Sequence, residues 1–341
     1  MNPSFAIAGR IRQLNDRGDL PIVELSNAHG RALVCLQGAQ VIEYQPHNQP
    51  PVLWLSDKSR FENGQAIRGG IPICWPWFGD HPQDPALPAH GFARTSRWKV
   101  LASAADSETS SLRLGLKDDD CSRQLWPYKF ELELSIQLGR QLSLTLCSHN
   151  TNDRPMPITE ALHSYLAVSN IDQTFVTGLE GCCYRDKLDQ LNPYIQDGPL
   201  TIAEETDRVY VDTEGTVTLN DPGFGRHILI SKDQNEHHPD ANNSSDNKPM
   251  NHNQSRSTVI WNPGAEKSLS MSDVDDNGYQ RLLCVETANA LDNALEIPPG
   301  HSHSMSTQIE STPSETAPSA ALSTTIFSTT TLSTTTKGSS E

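Results

Sequence analysis

Residues 130–150 read FELELSIQLGRQLSLTLCSHN, and here Phe130, Leu132, Leu134, Ile136 and Leu138 alternate with polar or charged neighbours. After a short turn at Gly139-Arg140 the alternation resumes with Leu142, Leu144 and Leu146. Successive side chains of a strand point to opposite faces, so apolar residues in phase with a period of two bury one face and wet the other. Two such runs around a tight turn predict an antiparallel hairpin. The same reading extends to residues 111–117, 216–221, 227–232, 258–262 and 281–287, while no long segment carries a convincing 3.6-residue period. Many strands, with 21 Gly and 23 Pro, predict an all-β protein, a sandwich or a barrel.

The 341 residues suffice for a sizeable core in one large domain or two smaller ones. A hydrophobic content of 35% is low, however, and points to segments outside that core. Two are visible. Residues 233–257, DQNEHHPDANNSSDNKPMNHNQSRS, carry almost no apolar side chains and interrupt two strand candidates, which predicts a disordered surface insertion. From about residue 311 onward more than half the residues are Ser or Thr, so 311–341 reads as a flexible tail on a folded domain of residues 1–310.

Against 26 Lys and Arg stand 42 Asp and Glu, a formal net charge of −16. Such a surface repels phosphate backbones and anionic lipid, which argues against nucleic acid and membrane as partners. A small anionic substrate would need arginines placed locally against that field. The seven cysteines form no CxxC pair, and adjacent Cys182 and Cys183 are poorly placed to bridge each other, so reduced thiols in a reducing compartment are expected. The N-terminal segment has only a four-residue apolar stretch, and no run approaches the ~20 apolar residues of a membrane span. A cytoplasmic location is the expectation.

The richest stretch for chemistry is AIRGGIPICWPWFGDHPQDPALPAHGFAR, residues 66–94. Gly69 and Gly70 would let backbone approach a ligand closely, and Trp75, Trp77 and Phe78 offer flat faces to a sugar ring or simply fill the core. Arg68 and Arg94 bracket the stretch; a guanidinium fork suits phosphate, but surface ion pairing is equally open. His90 is a candidate for bonding a ring or hydroxyl oxygen. His163, in ITEALHSYLAV, follows a Pro-rich turn, and Glu286 directly follows the apolar run Leu282-Leu283-Cys284-Val285. A carboxylate at the end of a buried strand has its pKa raised by desolvation, which suits a general base. Asp207, in TDRVY, is a candidate ligand for sugar hydroxyls or a partner of Arg208. Nothing in the spacing pairs these residues. His237, His238 and His252 fall in the insertion, where fixed metal geometry is not expected, and His301 and His303 read as structural. GFGRHI at 223–228 lacks the third glycine of a dinucleotide loop, and neither a P-loop nor a Gly-x-Ser-x-Gly elbow occurs.

Taken in order, AIRGGIPICWPWFG, LPAHGFAR, ALHSY, TDRVY, WNPG and CVETAN resemble the D-hexose-6-phosphate mutarotases. These form the glucose-6-phosphate 1-epimerase branch of the aldose 1-epimerase superfamily. The resemblance covers about residues 20–310 without the insertion and tail. It implies a galactose mutarotase-like β-supersandwich of two large, mostly antiparallel sheets. It also implies that His163 and Glu286 match the catalytic histidine and glutamate, and that Arg68, Arg94 and Asp207 match substrate-binding positions. His90 resembles the superfamily's second active-site histidine. Some members carry Gln just before that histidine, where this chain has Ala89, so one substrate contact differs.

The implied activity is acid–base interconversion of the anomers of a hexose 6-phosphate. Glu286 as carboxylate would take the anomeric proton, and His163 as imidazolium would protonate the ring oxygen. No metal or cofactor is required, and a monomer acting on a small sugar phosphate is expected. The alternatives are a non-catalytic carbohydrate-binding protein on the same scaffold and an epimerase of free aldoses.

Overall fold

The expected hairpin forms as two strands, Phe130–Leu138 and Leu142–Asn150, with Leu134 opposite Leu146 and Ile136 opposite Leu144. In this computed structural model, which describes residues 4–232 and 255–314, the hairpin lies within a nine-stranded antiparallel sheet. The other strand candidates also form, at Ser110–Lys117, Val217–Asp221, Arg226–Ser231, Ser257–Asn262 and Leu282–Asn289. The first three of these belong to the nine-stranded sheet, which the Ser302–Pro313 strand completes between Arg226–Ser231 and Leu142–Asn150.

An eight-stranded antiparallel sheet packs against it. Its middle strands run Cys183–Asp186, Thr206–Val211, Ser257–Asn262 and Leu282–Asn289, and the last is flanked by two short strands, Glu160–Leu162 and Tyr165–Ala167. All eight residues of Leu282–Asn289 are buried. A strand that is covered on both faces reads as a continuous apolar run rather than an alternation. Leu283 and Val285 pack into the inter-sheet core with Leu134, Ile136, Leu144 and Met305. Leu282 and Cys284 pack on the other face with Trp54, Tyr165, Trp261 and Val274. Only short helices occur among the described residues, the longest being Gly264–Ser270, and none is long and apolar enough to cross a membrane.

Polar groups also join the sheets. His303 of the nine-stranded sheet lies 2.9 Å from Glu160 of the eight-stranded one, both being buried, which makes its role structural as expected. The Arg226 guanidinium, 2% exposed, donates to the carbonyls of Pro50, Pro51 and Ala167 at 2.9, 3.0 and 2.8 Å. These bonds, with Asp221 3.8 Å from Arg226 Nε, offset part of the cost of burying the cation.

Both outer boundaries shift slightly from the expected ones. The Ser302–Pro313 strand continues past 310 because Ser311 and Thr312 pair with Ile228 and His227. At the end of the polar insertion, Ser255 is buried, its hydroxyl donates to the Ala288 carbonyl at 2.7 Å, and Ser257 already begins a strand. Short polar side chains that satisfy buried backbone groups do not register as core in a hydropathy reading. The remainder of the insertion and of the tail lies outside the described residues.

The alternation yields a paired expectation. Leu134→Ala, on the fully buried face, will cost about 2–5 kcal/mol in denaturant unfolding, whereas Gln137→Ala on the exposed face will stay within about 0.5 kcal/mol.

Candidate active site

The outer face of the eight-stranded sheet collects chemistry by register alone. Leu162 pairs with Thr287 and Tyr165 with Cys284, so one register runs through the gap between the two short strands and sets His163 opposite Glu286. Across the next strands Cys284 pairs with Trp261, and Trp261 with Asp207. The Lys187 amide then donates to the Asp207 carbonyl at 2.9 Å, extending the row. Residues directly opposite in a sheet share a face, as do residues two apart in a strand. Two neighbouring rows therefore cross one face: His163–Glu286–Val259, and Tyr165–Cys284–Trp261–Asp207–Lys187.

The loop at 66–94 covers this face. Gly91, at φ +71°, has its amide edge so close to Trp75 that an added Cβ would sit 2.0 Å from the Trp75 carbonyl oxygen; only glycine fits. His90, also at positive φ (64°), takes the Gly79 carbonyl on its amide and accepts the Gly79 N–H on Nδ1 at 3.3 Å. The neutral His90 ring accordingly carries its proton on Nε2. The expected closeness of Gly69 and Gly70 to a ligand is corrected. Their added Cβ atoms would meet the Trp54 and Val41 carbonyls at 2.5 and 2.2 Å, so they admit neighbouring chain. Trp75 and Trp77 are buried in the main core, and of the three aromatics only Phe78 faces the site, edge-on to His90.

All six candidate side chains converge here. His163 Nε2 stands 3.3 Å from Glu286 Oε1, and the two residues are 6% and 1% exposed. The His163 ring stacks on Tyr165 with centroids 4.6 Å apart and lies edge-on to His90 at 5.7 Å. Arg68 donates to Asp273 at 2.9 Å and to the Tyr165 hydroxyl at 2.8 Å. Arg94 donates to the Ala89 carbonyl at 2.8 Å, so Ala89 takes part through its backbone. Asp207 accepts from Lys187 Nζ at 2.8 Å rather than partnering Arg208, whose guanidinium lies 3.8 Å from Asp186.

Burial controls the titration of the site. It raises the Glu286 carboxyl well above its ordinary value, with the nearby Asp207 charge adding to the rise and Lys187 opposing it. Burial also drives His163 well below its ordinary value, assisted by His90, Arg68 and Arg94. His90 is lowered by burial and then by Arg94, Lys187 and Arg68. Asp207 is raised by burial against the pull of Lys187. Burial therefore favours neutral imidazole beside carboxylic acid in this pair. The expected imidazolium–carboxylate form contains the same number of protons and differs by one transfer along the 3.3 Å contact.

Lys187, Asp273, Tyr165 and Trp261 were not singled out in the sequence. Lys187 lies in CCYRDK and Asp273 in MSDVDDN, where charges are ordinary on a solvated surface, and only the cross-strand row or the packing against Arg68 makes them distinctive. The donor atoms of His163, Cys284 and Glu286 all lie within 4.8 Å of one another, the one grouping among the described residues with the makings of a metal site.

Residues 21–310 match the family model for aldose 1-epimerase. Two relatives, from Escherichia coli and Salmonella typhimurium, each bear the name "Putative glucose-6-phosphate 1-epimerase". They are 34% and 35% identical, over 80% and 82% of this chain and 84% and 85% of their own lengths. The crystal structure of "a putative mutarotase (YeaD)" from Salmonella typhimurium superposes with a TM-score of 0.78 at 30% identity, covering 91% of this chain and 96% of that one. The fold is thus the galactose mutarotase-like supersandwich.

A carboxyl whose pKa is raised on folding stabilises the protein fully below its unfolded value of 4.5, and that contribution is lost as pH rises towards the folded value. Glu286→Gln removes the loss. Thermal melts should show the variant more stable than the parent by a margin that widens from pH 5.5 to 8.5; a constant or negative margin would contradict the raised carboxyl.

Proposed function

Because the chain belongs to the aldose 1-epimerase family, an enzyme family acting on small sugars, we propose that it interconverts the α and β anomers of hexose 6-phosphates. The observation that carries the reading is the buried His163–Glu286 pair, 3.3 Å apart, with Arg68, Arg94 and Lys187 around it.

Mutarotation removes a proton from the anomeric hydroxyl and delivers one to the ring oxygen. The C1–O5 bond opens to the aldehyde, half a turn about C1–C2 presents the other carbonyl face, and closure reverses the transfers. The pair holds the one proton this cycle needs. Sugar hydroxyls entering the site supply hydrogen bonds that the dry pair lacks, drawing it towards carboxylate and imidazolium. Glu286 then accepts the anomeric proton while His163 donates to O5. His90, donating from Nε2, steadies an oxygen at the reacting end, and Asp207 accepts from sugar hydroxyls. Each placed acid or base contributes about 10²–10⁴-fold, sufficient for a reaction already measurable in water.

For the phosphate, the two arginines are unequal. Arg68 is already matched by Asp273, whereas the Arg94 contact is a neutral carbonyl, so Arg94 has more charge left to offer an anion. That same matching of Arg68 favours the alternative, an epimerase of free aldoses, and makes the ratio of the two activities the deciding quantity. The reading further has the protein acting in the cytoplasm as a monomer, with neither nucleic acid nor membrane as partner; its seven free thiols support the reducing compartment.

The direct test follows freshly dissolved α-D-glucose 6-phosphate by NMR. Wild type should accelerate its conversion, and His163→Ala or Glu286→Ala should lower kcat by about 10²–10⁴-fold while the fold is retained. Arg94→Ala should raise KM for glucose 6-phosphate by about 10–100-fold, corresponding to ~1.5–3 kcal/mol for charge-assisted bonds, and leave that for free glucose nearly unchanged. Equal losses on both sugars would reject the phosphate role.

The lowered imidazole also predicts the place of the acid limb. A second proton adds to the pair only below the ordinary imidazole value of 6.5, so the acid limb of kcat/KM should fall below that value. An acid limb centred at or above 6.5 would contradict the shift.

A further inference from the structure

Cys284 takes no part in the acid–base chemistry, yet its thiol lies beside it. Cys284 and Glu286 are two residues apart in one buried strand and so project to the same face, where His163 stands opposite Glu286. Sγ of Cys284, one ring nitrogen of His163 and one Glu286 oxygen all lie within 4.8 Å of one another. Thiolate, imidazole and carboxylate are the three ligand types that zinc takes, at about 2.0–2.3 Å, which sets tetrahedral donors roughly 3.3–3.8 Å apart. The 3.3 Å His163–Glu286 separation already meets that spacing, and the thiol needs to close by at most about 1 Å through side-chain rotation.

A second observation points the same way. Glu286 Oε2 is buried without a hydrogen-bond partner, an acceptor left for something that enters the site. Sugar hydroxyls satisfy it in the catalytic reading; a cation would satisfy it too.

We propose that His163, Cys284 and Glu286 form a binding site for a soft divalent cation such as Zn²⁺, which occupies the acid–base pair and excludes the sugar. The idea rests on the epimerase reading for its consequence, inhibition, but not for the binding itself. Coordination releases two protons to the buffer, the thiol proton and the one shared by the His163–Glu286 pair, and leaves a fourth position for water. Selectivity follows from the thiolate: Zn²⁺, Cd²⁺ and Co²⁺ fit, whereas Mg²⁺ and Ca²⁺, which require oxygen ligands, do not. Arg68, Arg94 and Lys187 oppose a dication and Asp207 and Asp273 favour it, so the ion is exchangeable, weaker than in a structural zinc site.

The test is a Co²⁺ titration of the full chain, read through the thiolate-to-cobalt charge-transfer band in the near ultraviolet, which imidazole or carboxylate sites elsewhere do not produce. One equivalent should generate the band. Cys284→Ser should abolish it, Cys121→Ser, which alters the exposed thiol, should keep it, and Glu286→Gln should weaken Co²⁺ affinity at least tenfold. The Glu286 variant decides the matter if Cys284→Ser does not fold. No band, a band that survives Cys284→Ser, or affinity unchanged in Glu286→Gln would overturn the site. In the kinetic arm, Zn²⁺ should inhibit wild type competitively with glucose 6-phosphate, Mg²⁺ should have no effect, and Cys284→Ser should stay active with at least tenfold weaker inhibition. A cobalt band in a protein without epimerase activity would leave the metal site standing and reject the catalytic reading; activity without a band would do the reverse.

Discussion

The Leu282–Asn289 strand pairs on one side with Ser257–Asn262 and on the other with two short strands that keep one register across a gap. Because side chains alternate along a strand, a slip of one residue would turn Glu286 and Cys284 into the inter-sheet core and bring Val285 and Leu283 out. The core itself forbids this. Leu283 and Val285 interlock with the apolar face of the nine-stranded sheet, so the hydrophobic pattern that drives folding also sets the register that assembles the chemistry. His163 and Glu286 meet though they stand 123 positions apart in sequence, because they are cross-strand neighbours, and Asp207 and Lys187 arrive by continuation of the adjacent row.

Within the site two of the three cations meet a carboxylate, although the whole chain is at −16. Arg68 faces Asp273, Lys187 faces Asp207, and Arg94 faces a carbonyl, so each cation is held in place before any ligand arrives. Fixed donors and acceptors need no reorganisation when charge develops, which is the advantage of a preorganised polar site over water. The central pair is the exception. Desolvation favours its neutral form, and in the proposed function a guest that supplies hydrogen bonds draws it towards the ion pair. Burial thus makes the state of the pair depend on occupancy.

Much of the fold was legible. The alternation in 130–150 corresponds to a hairpin in the position expected because one face is apolar and the other polar, and the runs at 258–262 and 281–287 correspond to strands buried on both faces. The six candidate residues were picked out by their motifs and not by spacing: nothing in the interval from His163 to Glu286 indicates contact, since register in a non-local sheet is a property of the folded state. The misreadings have the same origin. Gly69 and Gly70 do admit a close approach, but to the Trp54 and Val41 backbone, and whether a glycine faces ligand or chain is decided by the layer packed against it. Ser255 looked like solvent-loving insertion because hydropathy does not record a hydroxyl that satisfies a buried carbonyl. Lys187 and Asp273 were hidden because a charged residue on a turn looks the same whether it meets water or a counter-ion.

In the middle of the Leu282–Asn289 strand, odd-numbered Leu283 and Val285 face the inter-sheet core, and even-numbered Cys284 and Glu286 face the candidate site. Folding depends on Leu283 and Val285, and the proposed chemistry depends on Glu286, so two demands read one ribbon of chain in alternate letters. A lineage can therefore rewrite the even letters, exchanging one reagent for another, without disturbing the scaffold that the odd letters spell. A supersandwich of this kind is open to changes of trade.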